Sequence, residues 1–78
     1  MKFTQYFLAT RQRPDRLIIH LEWIEYAVNN PLKEEIQTDG RIKLWASIPE
    51  MEGRHLRVIL LSDRETVHNA FFDRSFKP

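Results

Sequence analysis

The sequence predicts an α+β domain, with N-terminal helical segments packed on one face of a four-stranded antiparallel β-meander. Three observations predict it. Apolar residues recur with a helical period before Pro31, they alternate with period two after it, and turn residues divide the alternating part into strands. Seventy-eight residues leave room for one core, so 1–78 is read as a single domain.

Residues 1–13 are compatible with either helix or strand. Phe3, Tyr6, Phe7 and Thr10 have helical spacing with Thr4 as an N-cap, while the aromatic content equally suits a short strand. Pro14 and Asp15 are favourable in a first helical turn, and a helix is expected over 14–30. Its apolar stripe is Leu17, Leu21, Ile24 and Val28, widened by Ala27, with Glu22 and Glu25 facing away. Asn30-Pro31 ends it, because the residue before proline avoids the α region.

Strands are expected at 34–38, 41–48, 55–62 and 65–72. Ile42, Leu44, Ala46 and Ile48 share one face; Leu56, Val58 and Leu60 join them, and Ile59 and Leu61 on the reverse side suit a central strand. For the Asp39-Gly40 turn, a three-residue loop ending at Arg41 sets Ile36 opposite Leu44, burying apolar against apolar, and is preferred over a two-residue loop. At Asp63-Arg64, a two-residue loop pairs Ile59 with His68 and Leu56 with Phe71. A slip by one residue buries His68 and turns Asn69 and Phe71 outward. The first is preferred because it buries Val67 and Phe71, although it turns Asn69 inward, in need of a partner.

Composition excludes several classes. The absence of cysteine removes disulfides and thiolate metal sites. No apolar run approaches a bilayer span and the first residues lack the apolar core of a signal peptide, so a cytoplasmic protein without membrane contact is expected. Net charge is +1, far from the basic stripe of a dedicated nucleic-acid binder. His20, His55 and His68 lie on different elements without ligand spacing, and neither a metal nor a cofactor is expected.

The sheet face turned away from the helix carries the candidate site. Lys43, Trp45, Arg57 and His68 fall there in the preferred register, with Arg74 near the rim. Lys43 and Arg57 suit phosphate, Trp45 suits a base or a partner protein, and His68 titrates near neutrality. In a metal-independent ribonuclease His68 would move the proton and Arg57 would offset charge on the phosphate. The simpler reading is a set of solvated strand cations with Trp45 in a partner contact.

The order of a helix, Asn30-Pro31, Gln37-x-Asp39-Gly40-Arg41-Ile42-x-x-Trp45, Leu56-Arg57-Val58 and Glu65-Thr66-Val67-His68-Asn69-Ala70-Phe71-Phe72-Asp73-Arg74 resembles a small bacterial protein family over most of residues 16–77. More remotely, by element order, it resembles the domains of the RelE, ParE and BrnT toxins. That likeness implies an endoribonuclease or topoisomerase-directed toxin held by a small antitoxin-like partner. The chain departs from RelE-like ribonucleases in being barely basic and in having no tyrosine after Tyr26. Three functions are therefore expected to compete: an interaction domain binding itself or a protein partner through Trp45, Ile59 and Leu61; a toxin-type ribonuclease using His68 and Arg57; and a nucleic-acid-binding regulator without chemistry.

Overall fold

The first residues form both of the alternatives their sequence allows. In the computed structural model, which describes residues 1–78, Lys2–Phe3 form strand β1 and Gln5–Thr10 form helix α1. Thr4 separates them as N-cap, its side chain accepting the Phe7 N–H at 3.0 Å. Strand β1 then lies parallel to the last strand, through Lys2 N–H to the Glu65 carbonyl and Thr4 N–H to the Val67 carbonyl.

The helix expected over 14–30 is two helices, α2 (Pro14–Leu17) and α3 (Leu21–Asn29). Pro14 opens α2 and His20 precedes α3 in extended conformation. Ile18 and Ile19 are β-branched and weaken the helix at the break. Restarting the helix at Leu21 lets Ile19, Trp23, Ile24 and Ala27 all enter the core, whereas Leu17, assigned to the stripe by its spacing, is 56 % exposed.

Beyond Pro31 the chain forms β2 (Lys33–Ile36), β3 (Ile42–Ile48), a 3-10 turn at Pro49–Met51, β4 (Arg54–Leu60) and β5 (Thr66–Phe72). The sheet order is β1-β5-β4-β3-β2, so the four-stranded meander is present and the parallel β1 makes it a mixed five-stranded sheet. Strand β4 is central, in keeping with its two apolar faces. All of Ile42, Leu44, Ala46, Leu56, Val58 and Leu60 face the core beneath α1 and α3.

Two registers differ from expectation. At the β2–β3 connection Gln37 pairs with Arg41, leaving Thr38-Asp39-Gly40 as the three-residue loop, with Gly40 left-handed at φ +88°. The loop sits one residue earlier than preferred, and Ile36 lies opposite Ile42 instead of Leu44. Apolar still meets apolar, which is why the two settings looked alike in sequence.

Strand β5 combines the two registers weighed for it. Leu60 pairs with Val67 as in the preferred one, and Ile59 with Asn69 and Arg57 with Phe71 as in the slipped one, with a bulge between. Val67 and Ala70 are both buried although they stand three residues apart. An uninterrupted strand would turn them to opposite faces, and one extra residue removes the conflict. Phe71, expected in the core, is consequently on the outer face, and Asn69 is not inward. Phe72 packs partly under the helices, edge-on to Trp23.

Leu56→Ala, at a side chain with no exposure, should lower unfolding free energy by about 2–5 kcal/mol in urea titrations, whereas Leu17→Ala should change it by about 0.5 kcal/mol or less. Equal losses would show that α2 packs more tightly than described.

Candidate functional site

The outer face is organised as a row of alternating cations and aromatic rings. The strand registers set Lys33, Trp45, Arg57 and Phe71 side by side across β2, β3, β4 and β5. Lys33 lies 5.9 Å from the Trp45 ring centroid, Arg57 5.6 Å from Trp45 and 5.2 Å from Phe71, and Arg16 of α2 5.2 Å from Phe71. Each cation–ring contact of this kind is worth roughly 0.5–1 kcal/mol at an exposed site and more when water is excluded.

The segment after β5 folds back over this row. Phe76 stacks on Trp45 with centroids 5.0 Å apart. Asp73 accepts the Trp45 indole N–H at 3.1 Å, lies 3.6 Å from Arg57 Nη1 and is bonded by the Ser75 N–H and hydroxyl. Those bonds, Ser75 first and then Trp45, hold the Asp73 carboxyl below the usual range despite its partial burial. Trp45, expected as an exposed anchor for a partner, is 6 % exposed because its own chain covers it. The covering residues Asp73 and Phe76 lie far from Trp45 in sequence, and only the tryptophan's place on a polar-facing register hinted at a partner.

His68 and Arg57 are not brought into one site. His68 sits at the bulge, its Nδ1 3.1 Å from the Thr4 hydroxyl and its ring stacked on Tyr6 at 4.8 Å. The Thr4 hydroxyl also accepts the Phe7 N–H, so one side chain links the His68 ring to the start of α1. Burial, with Arg41 assisting and Asp39 opposing, lowers the His68 pKa, so the neutral ring is favoured. Arg57, meanwhile, is engaged by Asp73, Trp45 and Phe71.

The remaining candidates are dispersed. Lys43 pairs with Glu35 at 3.9 Å beside half-buried Ile59. Arg74 lines a shallow groove with Asp15, Arg16, Arg54, Phe71 and Phe72; Asp15 pairs with Arg16 at 3.4 Å, and neither Arg74 nor Arg54 has a carboxylate within 4.0 Å. Arg54 lies 4.5 Å over the Phe72 ring, and Arg16 donates to Asn69 Oδ1 at 2.7 Å and to the Ala70 carbonyl at 3.3 Å. The preferred register puts Phe71 in the core and gives Arg16 no role; beyond the β5 bulge Asn69 and Phe71 turn outward, as in the slipped register, and Arg16 reaches them from α2. No group of three His, Asp or Glu side chains converges as metal ligands.

One surface is unsatisfied. Strand β2 is one of the two outer edges of the sheet, every residue from Lys33 to Ile36 is exposed, and Ile36 and Leu32, just before the strand, reach 64 % and 58 %. The Gln37–Arg41 bond fixes which backbone groups point inward: Lys33 and Glu35 face β3, and Glu34 and Ile36 turn their N–H and C=O groups away from the sheet. No helix of the chain is long and apolar enough to cross a membrane.

Acid should weaken the fold in a defined window. The Asp63 carboxyl, bonded first by the Thr66 hydroxyl and then by the Glu65 and Thr66 N–H groups, is lowered from 3.8 to about 2, and Asp73 is lowered as well. Groups that hold protons less readily folded than unfolded contribute stability above the unfolded pKa and lose it as pH falls through the folded one. Urea stability should therefore fall from about pH 4 toward pH 2, less steeply in Asp63→Asn and Asp73→Asn. Slopes identical to the unmodified protein would remove these two carboxylates from the account.

No protein-family model, curated protein or solved structure matches the chain.

Proposed function

We propose that the protein is a non-catalytic interaction domain that binds a protein strand at the free edge of β2. The supporting observation is the combination at that edge of outward backbone donors and acceptors with the two most exposed large aliphatic side chains of the molecule, Leu32 and Ile36. Adding a strand there satisfies the backbone groups and covers both side chains, which is how extended peptides are recognised at sheet edges. The open-face route expected from Trp45 is replaced by this one, because the chain's own Phe76 occupies that position.

The reading is tested with peptides selected from a random library against the immobilised protein, their contacts mapped by amide chemical shifts. Perturbations should centre on Glu34 and Ile36 and disappear in Ile36→Pro, which deletes an outward N–H and leaves the β3 pairing untouched. Absence of binders, or perturbations centred on the Trp45 face, would overturn it.

A second reading is favoured by the groove of Arg16, Arg54 and Arg74. Two guanidiniums without carboxylate partners, beside the Phe71 and Phe72 rings, suit the phosphates of a single-stranded nucleic acid, the regulator without chemistry. Binding of an RNA oligonucleotide should weaken steeply with salt, and Arg54→Ala with Arg74→Ala should reduce the logarithmic salt slope by about 1–2. An unchanged slope removes the groove from the binding surface. The toxin-type ribonuclease implied by the family resemblance depends on His68 acting beside Arg57, and nothing in their separate placements supports it.

A further inference from the structure

We infer that the strand received at the β2 edge is the same strand of a second copy, paired antiparallel in one register with Glu34 on the two-fold axis. This rests on the edge-binding reading above and adds the identity of the partner.

A closed two-fold at a strand edge makes the two strands antiparallel. Only Glu34 and Ile36 carry outward backbone groups within β2, so the strands must meet with even-numbered residues opposite each other. Three such registers keep appreciable overlap. Placing Lys33 on the axis sets the two Lys33 side chains against each other and Leu32 against Glu34. Placing Glu35 on the axis opposes the two Glu35 carboxylates and sets Ile36 against Glu34.

The middle register, centred on Glu34, sets Lys33 against Glu35 twice and brings each Ile36 to the other copy's Leu32, the exposed residue of the bend before β2. Apolar meets apolar and opposite charges meet, both favourable cross-strand pairings. Its one like-charge contact is Glu34 with its own mate, and each Glu34 is already held by Arg64 at 2.6 Å. Glu34 exchanges backbone bonds with its mate, and each Ile36 turns its outward N–H and C=O toward the start of the other copy's strand. The Leu32 N–H is not needed, being engaged by the Trp45 carbonyl at 2.7 Å. Charges on an edge ordinarily repel stray strands. Here their order repels the shifted registers of the same strand and admits this one.

So short an interface dissociates readily, and the dimer should appear as a concentration-dependent rise in mass by light scattering. The chain has no cysteine, so engineered ones report the register alone. In an antiparallel hydrogen-bonded pair the Cα atoms are about 5.5 Å apart, within disulfide reach. Glu34→Cys should therefore cross-link to itself under mild oxidation, and Lys33→Cys should not. Lys33→Glu should weaken dimerisation about tenfold, and Lys33→Glu with Glu35→Lys should restore it.

A dimer that cross-links at Lys33→Cys or is indifferent to the charge exchange overturns the register. A monomer at every concentration whose β2 edge still takes selected peptides overturns the second copy as partner and leaves the edge-binding reading standing. A monomer whose edge takes none overturns both.

Discussion

The bulge between Ile59 and Leu60 on one side and His68 on the other is the constraint on which the rest of the structure depends. Val67 and Ala70 are both required in the core, and the extra residue that reconciles them sets the direction of every side chain around it. His68 goes to Thr4 and so ties β5 to the start of α1. Asn69 turns outward to receive Arg16, which draws α2 against the strand. Phe71 turns outward between Arg57 and Arg16 and completes the aromatic row.

The row in turn explains why a face rich in cations and rings is not an open one. A buried tryptophan needs a partner for its indole N–H, and Asp73 supplies it from the segment after β5. The same carboxylate stands beside Arg57, and Phe76 closes over the ring. Of the two side chains that would serve catalysis in a nuclease, Arg57 helps hold the terminal segment to the sheet, while His68 is engaged with Thr4 and Tyr6. What a monomer leaves without a paired strand on its outer side is β2, the four-residue edge of the sheet. The proposed function accordingly uses an edge and not a pocket, through backbone groups that an added strand would satisfy.

Edge pairing and the arginine groove occupy opposite ends of the sheet order, β2 at one end and the flank of β5 at the other. A dimer formed through β2 would leave both grooves exposed at its far ends. The two readings are thus compatible in one assembly, and a self-paired sheet carrying a phosphate-binding groove at each end is the arrangement in which both would operate.

The sequence by itself determined what neighbouring residues decide. The change of period at Pro31, the core faces of β3 and β4, the Thr4 cap, the helix start at Pro14 and the left-handed Gly40 all rest on steric limits and side-chain periods within a few residues. Both short elements of residues 1–13 were legible as alternatives, and only pairing with Glu65 and Val67 divided the segment between them. The tertiary structure decided the break before α3, the bulge, the covering of Trp45 and the separation of His68 from Arg57. Each turns on contacts across long stretches of chain, 28 residues for Trp45–Asp73, 53 for Arg16–Asn69 and 64 for Thr4–His68. A strand's pattern shows that two faces exist, but which residue slips between them is set by the distant side chains that compete to fill the core.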